Sequence, residues 1–231
     1  MTRMRRIAAE ALGSAALAAI VIGSGVMAER MAGGNGAVAL LANTFATAAG
    51  LYALIVVFAP VSGAHFNPAV TLASVLRRDI EPGEACAFVA AQIVGMLCGV
   101  LLVHAMFGLP AWYPSTHARA GWAQGLSEGV ATFMLLMAIL GTRRRSVESV
   151  AAAVALTIAA GYWFTASTSF ANPAITLARA LSDTFAGIRM ADVPLFVAGQ
   201  IAGCLVAVAC AAWLFDERAT IAAPSDIQRG K

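Results

Sequence analysis

Six apolar blocks of roughly 20 residues fill most of this chain and restrict the folds it can adopt. A helix of about 20 residues spans a hydrocarbon core of ~30 Å, and within a bilayer the protein itself must satisfy its backbone hydrogen bonds. The chain is 60% hydrophobic and 12% charged, which is too apolar for a water-soluble domain. We therefore predict an all-α membrane protein. The predicted spans are approximately Ile7–Ala28, Gly36–Phe58, Glu84–Phe107, Gly121–Gly141, Ser149–Phe164 and Val193–Phe215.

The start of the chain has some features of a secretory signal peptide, because three arginines precede an apolar run. That run is longer than the apolar region of a signal peptide, and it leads directly into further spans. We therefore expect it to be retained as the first transmembrane helix.

The positive charges predict the orientation of the chain. Eleven of its fifteen Lys and Arg residues fall into four groups, which six spans would place on one face with both termini inside. An excess of Lys and Arg marks the cytoplasmic face, so we expect a protein of the cell membrane with both termini in the cytoplasm. The net charge of +3 reflects this topology and not nucleic-acid binding. The groups are Arg3, Arg5, Arg6; Arg77, Arg78; Arg143, Arg144, Arg145; and Arg218, Arg229, Lys231, leaving Arg30, Arg119, Arg179 and Arg189 for the other face.

The cysteines and acidic residues give no indication of a metal, a cofactor or an enzyme. All four cysteines fall inside predicted spans, where a free thiol behaves as a small apolar group. The sequence has no Cys-x-x-Cys motif and no cluster of a nucleophile, a base and an orienting residue. We therefore expect no cofactor, no metal and no catalytic activity. The cysteines are Cys86, Cys98, Cys204 and Cys210.

The chain also repeats itself. The segment His65–Ala73 recurs as Phe170–Ala178, and both copies contain Asn-Pro-Ala followed by Thr-Leu-Ala two residues later. A Glu precedes each copy, at Glu10 and Glu128, and a Gln-Ile-x-Gly follows each one. Each half contains three spans, an odd number, so the second half must enter the membrane from the opposite side. We therefore predict inverted repeats, approximately 1–110 and 111–231, with the functional site between them near the bilayer midplane.

Within each repeat, the Asn-Pro-Ala segment predicts a helix start inside the membrane. Asn is a preferred N-cap and Pro is preferred at the first helical position, so short helices are expected to begin after Asn67 and Asn172. The stretch between Pro60 and Pro82 is too short for a further crossing and return, so a re-entrant half-helix fits there. Two half-helices entering from opposite faces would bring two positive dipole ends together, which repels cations. The pore-centre residues are then Asn67, Pro68, Ala69, Asn172, Pro173 and Ala174.

These motifs resemble the major intrinsic protein family of aquaporins and aquaglyceroporins, and the string Ser62–Val70 is especially close to that family's first pore loop. The resemblance covers the whole chain, 1–231, as one channel domain. It implies six transmembrane helices plus two half-helices, and a homotetramer with one pore per subunit in the lipid bilayer. The segments Asn43–Thr47 and Tyr162–Asn172 further resemble bacterial channels associated with arsenic resistance.

The two glutamates allow two interpretations. An ionisable residue inside a span is a functional candidate by default, for example in a proton relay. However, Glu10 and Glu128 are isolated, symmetric and unaccompanied by a chain of acidic or histidine residues. The interpretation that we favour is that each accepts hydrogen bonds from the non-helical backbone of a pore loop, as the resemblance implies.

The resemblance also locates a selectivity filter outside the paired asparagines. Water-selective members, and most glycerol-conducting ones, place an Arg directly after the second Asn-Pro-Ala, where this chain has Ile175. Counting from the two asparagines places Thr47, Ala160, Ser169 and Ile175 in the filter, with Gly161 as an equally small neighbour if the register differs by one. None of these residues is charged. We therefore expect a wide, weakly polar filter that is not restricted to water.

Two further residues are candidates for the vestibules. His65 lies two residues before Asn67 and either lines the inner vestibule or packs in the core. Arg179 lies one turn beyond Ile175 and either returns positive charge to the outer vestibule or contacts lipid headgroups at a helix end. His104, near the outer end of a span, is expected to have no role.

We thus predict a passive channel for small neutral solutes: water, glycerol-like polyols and hydroxylated arsenic or other metalloid species. The alternative is a proton- or sodium-coupled secondary transporter, since these proteins also use inverted repeats and broken helices. A coupled transporter would need carboxylates at a midplane ion site, and the sequence indicates none.

Overall fold

Eight α-helices account for most of residues 1–215, the part of the chain that the computed structural model describes. Six of them are long and apolar enough to cross a membrane, which confirms the predicted all-helical membrane fold. The positively charged group Arg218, Arg229 and Lys231 lies outside the described residues. In chain order the helices are α1 (Arg3–Met31), α2 (Gly36–Ser62), α3 (Pro68–Leu76), α4 (Pro82–Phe107), α5 (Trp122–Thr142), α6 (Val147–Phe164), α7 (Pro173–Arg179) and α8 (Val193–Leu214).

Four of the six spanning helices, α1, α2, α4 and α6, extend slightly beyond the apolar blocks that predict them, and the bounds of α5 and α8 agree with their blocks to within one residue. Helix α1 begins at Arg3, four residues before its apolar block, because Thr2 caps it by accepting a hydrogen bond from the Arg5 N–H. Helix α2 continues past Pro60 and ends at Gly63, whose positive φ of 95° closes the helix in the left-handed conformation that favours glycine. The hydrophobic pattern locates each crossing, and the caps determine where each helix ends.

The two short helices, α3 and α7, begin at the paired asparagines. The side chain of Asn67 accepts a hydrogen bond from the Ala69 N–H, and that of Asn172 accepts bonds from the N–H groups of Ala174 and Ile175. A proline follows each asparagine at the first helical position, where the missing N–H costs nothing. The local sequence therefore specifies both helix starts.

Small residues bring the long helices together in two matching pairs. Helix α1 packs along α4, and α5 packs along α8. A Cβ added to Gly95 would lie 2.2 Å from the Ala11 carbonyl oxygen, and one added to Gly203 would lie 2.1 Å from the Gly129 carbonyl oxygen. Both pairs of backbones thus approach too closely for any side chain at these glycines. The matched packing supports the predicted division into two repeats, which stays a prediction.

The predicted cytoplasmic arginines lie together at one end of the bundle. Arg6 forms an ion pair of 2.7 Å with Glu84 at the start of α4, and Arg3 donates a hydrogen bond to the Gly83 carbonyl. Arg143, after α5, lies close enough to Arg77 to interact with it electrostatically. Three of the four predicted groups therefore share one end, as the predicted topology requires.

At the opposite end, the connection between α4 and α5 folds over the segment that follows α7. The Ser115 N–H donates to the Ala180 carbonyl, and the Asp183 N–H donates to the Tyr113 carbonyl. His104, expected to have no role, is 1% exposed, and its Nε2 lies 2.9 Å from the Ser182 Oγ. His104 therefore has a structural contact with a loop residue from a distant part of the sequence, and the expectation that it has no role in function stays a prediction.

Candidate functional site

The centre of the site is a reciprocal exchange between the two Asn-Pro-Ala turns. The Asn67 Nδ2 donates to the Ala171 carbonyl at 2.7 Å, and the Asn172 Nδ2 donates to the Phe66 carbonyl at 2.8 Å. Each side-chain oxygen caps its own half-helix. The N-termini of α3 and α7 therefore meet, and each asparagine is fixed at both of its polar atoms.

Glu10 holds the loop before α3 in place. Its carboxylate accepts hydrogen bonds from the N–H groups of His65 and Phe66, from the Ser62 hydroxyl at 2.6 Å and from the Gln92 amide at 2.8 Å. The glutamate is fully buried. Since the partners are backbone, hydroxyl and amide groups, the carboxylate supports a loop that no helix stabilises, and the described contacts supply no onward proton acceptor.

Glu128 makes matching contacts with the loop before α7. It accepts hydrogen bonds from the N–H groups of Phe170 and Ala171, both at 2.8 Å, and from the Gln200 amide at 2.6 Å. This loop contains residues with positive φ, including Ser169 and Ala171, which is a strained conformation for residues other than glycine. The buried carboxylate offsets that strain by satisfying two N–H groups at once.

A cavity of about 180 Å³ runs past both asparagines. One of its walls is a stripe on α6, from Val150 to Tyr162, which corresponds to about 18 Å along a helix. The remaining walls come from helices of both halves and from the two loops. The polar side chains that contribute to the lining are Thr47, His65, Asn67, Ser74, Tyr162, Ser169, Asn172 and Arg179.

Three of the four predicted filter residues, Thr47, Ser169 and Ile175, line this cavity. Ala160 does not, and its assignment to the filter is corrected: it lies exposed on the outer surface of α6. The neighbouring Gly161 is buried, and a Cβ there would lie 2.5 Å from the Ser169 Oγ. Gly161 does not line the cavity either, and the residue of this turn of α6 that does is Tyr162. The count from Asn172 misplaces the position because the extended segment between α6 and Asn172 does not have helical spacing.

Tyr162 and Phe170 are among the residues of the cavity wall that sequence reasoning missed. Tyr162 is buried, and its hydroxyl donates to the Thr47 Oγ1 at 3.3 Å, so it orients one of the filter candidates. Phe170 occupies the repeat position that corresponds to His65 and also lines the cavity. The spacing of four residues from Val150 through Tyr162 was the signal that could have identified the tyrosine.

The structure places both vestibule candidates on the cavity wall. The Nδ1 of His65 lies 3.1 Å from the Thr71 Oγ1, and the imidazole packs edge-to-face against Phe88. Arg179 is 3% exposed, and its guanidinium carbon lies 3.3 Å from the centre of the Phe170 ring. The interpretation of Arg179 as a headgroup contact was therefore wrong, since the residues after α7 fold back and bury it.

Comparisons with known proteins agree with this geometry. The model of the major intrinsic protein family matches residues 1–146. The chain is 49% identical over 210 residues to an aquaglyceroporin, AqpS, of Rhizobium meliloti, covering 91% of this chain and 90% of that protein. It is 30% identical to a probable aquaporin, AqpM, of Archaeoglobus fulgidus, covering 94% and 97% of the two chains. The crystal structure of the aquaglyceroporin from Plasmodium falciparum has a similar fold, with a TM-score of 0.69 at 21% identity, covering 95% of this chain and 98% of that one.

Proposed function

Because the chain belongs to the major intrinsic protein family of membrane channels, we propose that it conducts small neutral solutes passively through the cavity between Asn67 and Asn172. The observation that carries the proposal is the way both amides are used. The Nδ2 group of each asparagine has two hydrogens, and one of them is donated to a carbonyl of the opposite loop. The second hydrogen remains available, and both side chains line the cavity. The two asparagines thus present two fixed donors to a passing solute.

The same site disfavours cations. The helix starts of α3 and α7 meet at the paired asparagines, and each N-terminus has a partial positive charge of about one half. A water or polyol molecule can accept hydrogen bonds from the asparagines, whereas a cation meets positive potential without a compensating anion. Among the described residues that line the cavity, none has a carboxylate side chain. This is the observation that favours a channel over a cation-coupled transporter.

The outer part of the cavity supports solutes larger than water. Thr47, Ser169 and Ile175 are small or medium in size, and Gly161 leaves the space that Ser169 fills. Aliphatic residues such as Ile55 and Ile158 cover much of the remaining wall. A wall that is mostly apolar with a few donors suits molecules with a hydroxylated edge and an apolar edge. We therefore propose glycerol-like polyols and neutral hydroxylated metalloids, together with water, as solutes.

A stopped-flow panel on proteoliposomes tests this function. Swelling and shrinking rates are compared for water, glycerol, urea, arsenite and methylated arsenicals, with protein-free liposomes as the baseline. We expect water and glycerol to cross faster than in the baseline, with a low activation energy and therefore a weak dependence of the rate on temperature. Glycerol and metalloid rates equal to the baseline would contradict the proposed solute class, and an unchanged water rate would contradict the channel itself.

A matched pair of variants tests the asparagine site. Asn172→Asp retains an oxygen that caps α7 but removes both side-chain N–H groups and introduces a negative charge. We expect slower glycerol flux and faster cation flux. Asn35→Asp is the control, because the Asn35 side chain caps α2 by two similar backbone bonds at an exposed position away from the cavity. Equal effects of the two variants would show that capping alone explains the result.

A channel and a coupled transporter differ in whether the solute flux depends on an ion gradient. Collapse of a proton or sodium gradient leaves flux through a channel unchanged, since no ion moves with the solute. Saturable flux that disappears with either gradient would establish the transporter alternative instead. The measurement uses the same proteoliposomes with ionophores and no additional variant.

We also propose a homotetramer with one cavity per subunit in the bacterial inner membrane, with both termini in the cytoplasm. Support comes from the family and from the arginine groups collected at one end of the bundle. Native mass spectrometry of the purified protein would give the subunit number. Reporter fusions at each terminus would show the orientation, and opposite signals from the two ends would contradict it.

A further inference from the structure

Two arginines contact the same aromatic ring beside the outer cavity. Arg119 comes from the connection between α4 and α5, and Arg179 is the last residue of α7. Their guanidinium carbons lie 5.1 Å and 3.3 Å from the centre of the Phe170 ring. Phe170 is 5% exposed, lines the cavity and packs edge-to-face against Phe196. A cation over an aromatic face is attracted by the ring electrons, so both arginines fix the position of a cavity-lining ring.

Backbone oxygens hold the side chain of Arg119 in place, and no carboxylate among residues 1–215 forms an ion pair with it. Its Nε donates to the Gly187 carbonyl at 2.8 Å, and its Nη1 donates to the Ser167 carbonyl at 3.3 Å. The nearby Asp192 accepts from the Arg189 guanidinium and from the backbone N–H of Arg119. The positive charge of Arg119 is therefore not neutralised at close range.

Arg179 is in a similar position. It lines the cavity, it is 3% exposed, and its Nε donates to the Ala186 carbonyl. Within the described part of the chain, no Asp or Glu lies within ion-pair distance of its guanidinium. Glu128 is near enough to interact with both arginines, but it is hydrogen bonded to the loop before α7 and to Gln200, and it forms no ion pair with either arginine. Two cations without an ion-pair partner on one ring raise the electrostatic potential at the outer end of the cavity. Residue 175, by contrast, is an uncharged isoleucine.

We propose that Arg119 is a specificity-determining residue that acts through its positive charge. Its stacking on Phe170 holds that charge beside the outer cavity, next to the charge of Arg179. The α4–α5 connection and the end of α7 together thus supply the outer cation barrier that Ile175 cannot supply. This inference rests on the proposed channel function.

Three variants separate these effects. Arg119→Gln removes the charge, whereas Arg119→Lys retains it and loses the planar stacking on Phe170. Arg30→Gln is the matched control, because Arg30 also stacks over an aromatic ring at 5.1 Å and donates to a backbone carbonyl, but at Phe107, away from the cavity. Proton flux is read from pyranine entrapped in proteoliposomes under an imposed potential, and water permeability is read by light scattering.

We expect Arg119→Gln to raise the proton flux about tenfold, which is the effect of one unit charge on another about 10 Å away at an effective dielectric constant of about 20. Arg119→Lys and Arg30→Gln are expected to remain near the wild-type proton flux. Equal proton flux in Arg119→Gln and the wild type would overturn the proposal. An equal rise in Arg119→Lys and Arg119→Gln would also overturn it, since loss of packing would then explain both.

A further variant covers the case in which Arg119→Gln fails to fold. Arg119→Met keeps a long side chain against Phe170 and removes the charge, so its proton flux should also rise about tenfold. A folded Arg119→Met with the proton flux of the wild type would overturn the proposal. Failure of the channel function is a separate result, because the wild type would then show no water or glycerol flux.

Discussion

The loops before α3 and α7 have the same scaffold but different side chains around it. In both, a buried glutamate accepts two backbone N–H groups and one glutamine amide. Glu10 also accepts a bond from the Ser62 hydroxyl, whereas the described contacts of Glu128 include no hydroxyl. Glu10 thus has four donors and Glu128 three, so the loop before α3 depends more on its glutamate.

Bulk is also distributed differently between the two loops. Phe66 of the first loop lies against Gly13, where an added Cβ would be 2.0 Å from the ring. The equivalent positions in the second half are Ala171 and Ala131. One large and one absent side chain in the first half are thus replaced by two small side chains in the second. A repeated backbone can therefore be built from different pairs of residues, provided that each pair fills the same space.

The third difference concerns charge. His65 packs against Phe88, whereas its repeat equivalent, Phe170, contacts the guanidinium groups of Arg119 and Arg179. The scaffold fixes the two asparagines symmetrically, while the residue two positions before each asparagine gives the two ends of the cavity different chemistry. This suggests that the central site and the selectivity of the two vestibules can be altered independently.

The largest expected effect comes from removing the glutamates. Glu10→Leu leaves four donors without their acceptor in the protein interior, and we expect it to destabilise the protein by more than about 3 kcal/mol. Glu128→Leu leaves three donors and should cost less. The midpoint of unfolding in mixed detergent gives both values, and a larger loss for Glu128→Leu would reverse the comparison.

A smaller effect on stability is expected when the sizes of the side chains at positions 13 and 66 are changed. Gly13→Ala forces a methyl group into the Phe66 ring and should destabilise the protein by about 1–3 kcal/mol. The double variant Gly13→Ala, Phe66→Ala copies the pair in the second half and should be less destabilised than the sum of the single variants. Additive losses in the same unfolding measurement would show that the two positions do not compensate.

The filter change affects permeation rather than stability. Ile175→Arg introduces a long cation into the outer cavity and should lower glycerol flux several-fold, with a smaller reduction of water flux. Stopped-flow light scattering measures both rates on one preparation. If both fall equally, or neither changes, Ile175 is not at the constriction.

The smallest expected effect is on the pH dependence of protein stability, and it concerns His117 in the connection between α4 and α5. Burial, with the positive charges of Arg119 and Arg179, lowers the pKa of His117 below its ordinary value. The unfolded chain therefore takes up this proton at a higher pH than the folded protein. The resulting contribution to stability is present above a pH of about 6.5 and declines below it. In melting curves between pH 7 and pH 5, His117→Gln should lose slightly less stability than the wild type, and identical curves would contradict the assignment.

The sequence allowed prediction of the spans and of the paired helix starts because local rules determine both. Apolar length specifies a crossing, and Asn followed by Pro specifies a cap. Ala160 was misplaced because its distance from Asn172 was counted across a non-helical segment with several positive φ values. The surroundings of Arg119 and Arg179 were not predictable, since they depend on how the α4–α5 connection meets residues that follow it by more than forty positions.

The reciprocal bonds between the asparagines and the opposite loops have a consequence for biosynthesis. The Asn67 amide and the Phe66 carbonyl find partners that are 104 and 106 residues away in the sequence. While the ribosome is still producing the chain, the first three crossings can insert. The first half of the pore then lacks its partners in the second half, namely the Ala171 carbonyl and the Asn172 amide. A chain interrupted before residue 172 is therefore a membrane protein without a finished permeation path, and the cell first gains a route through the bilayer when the second turn has been translated and inserted.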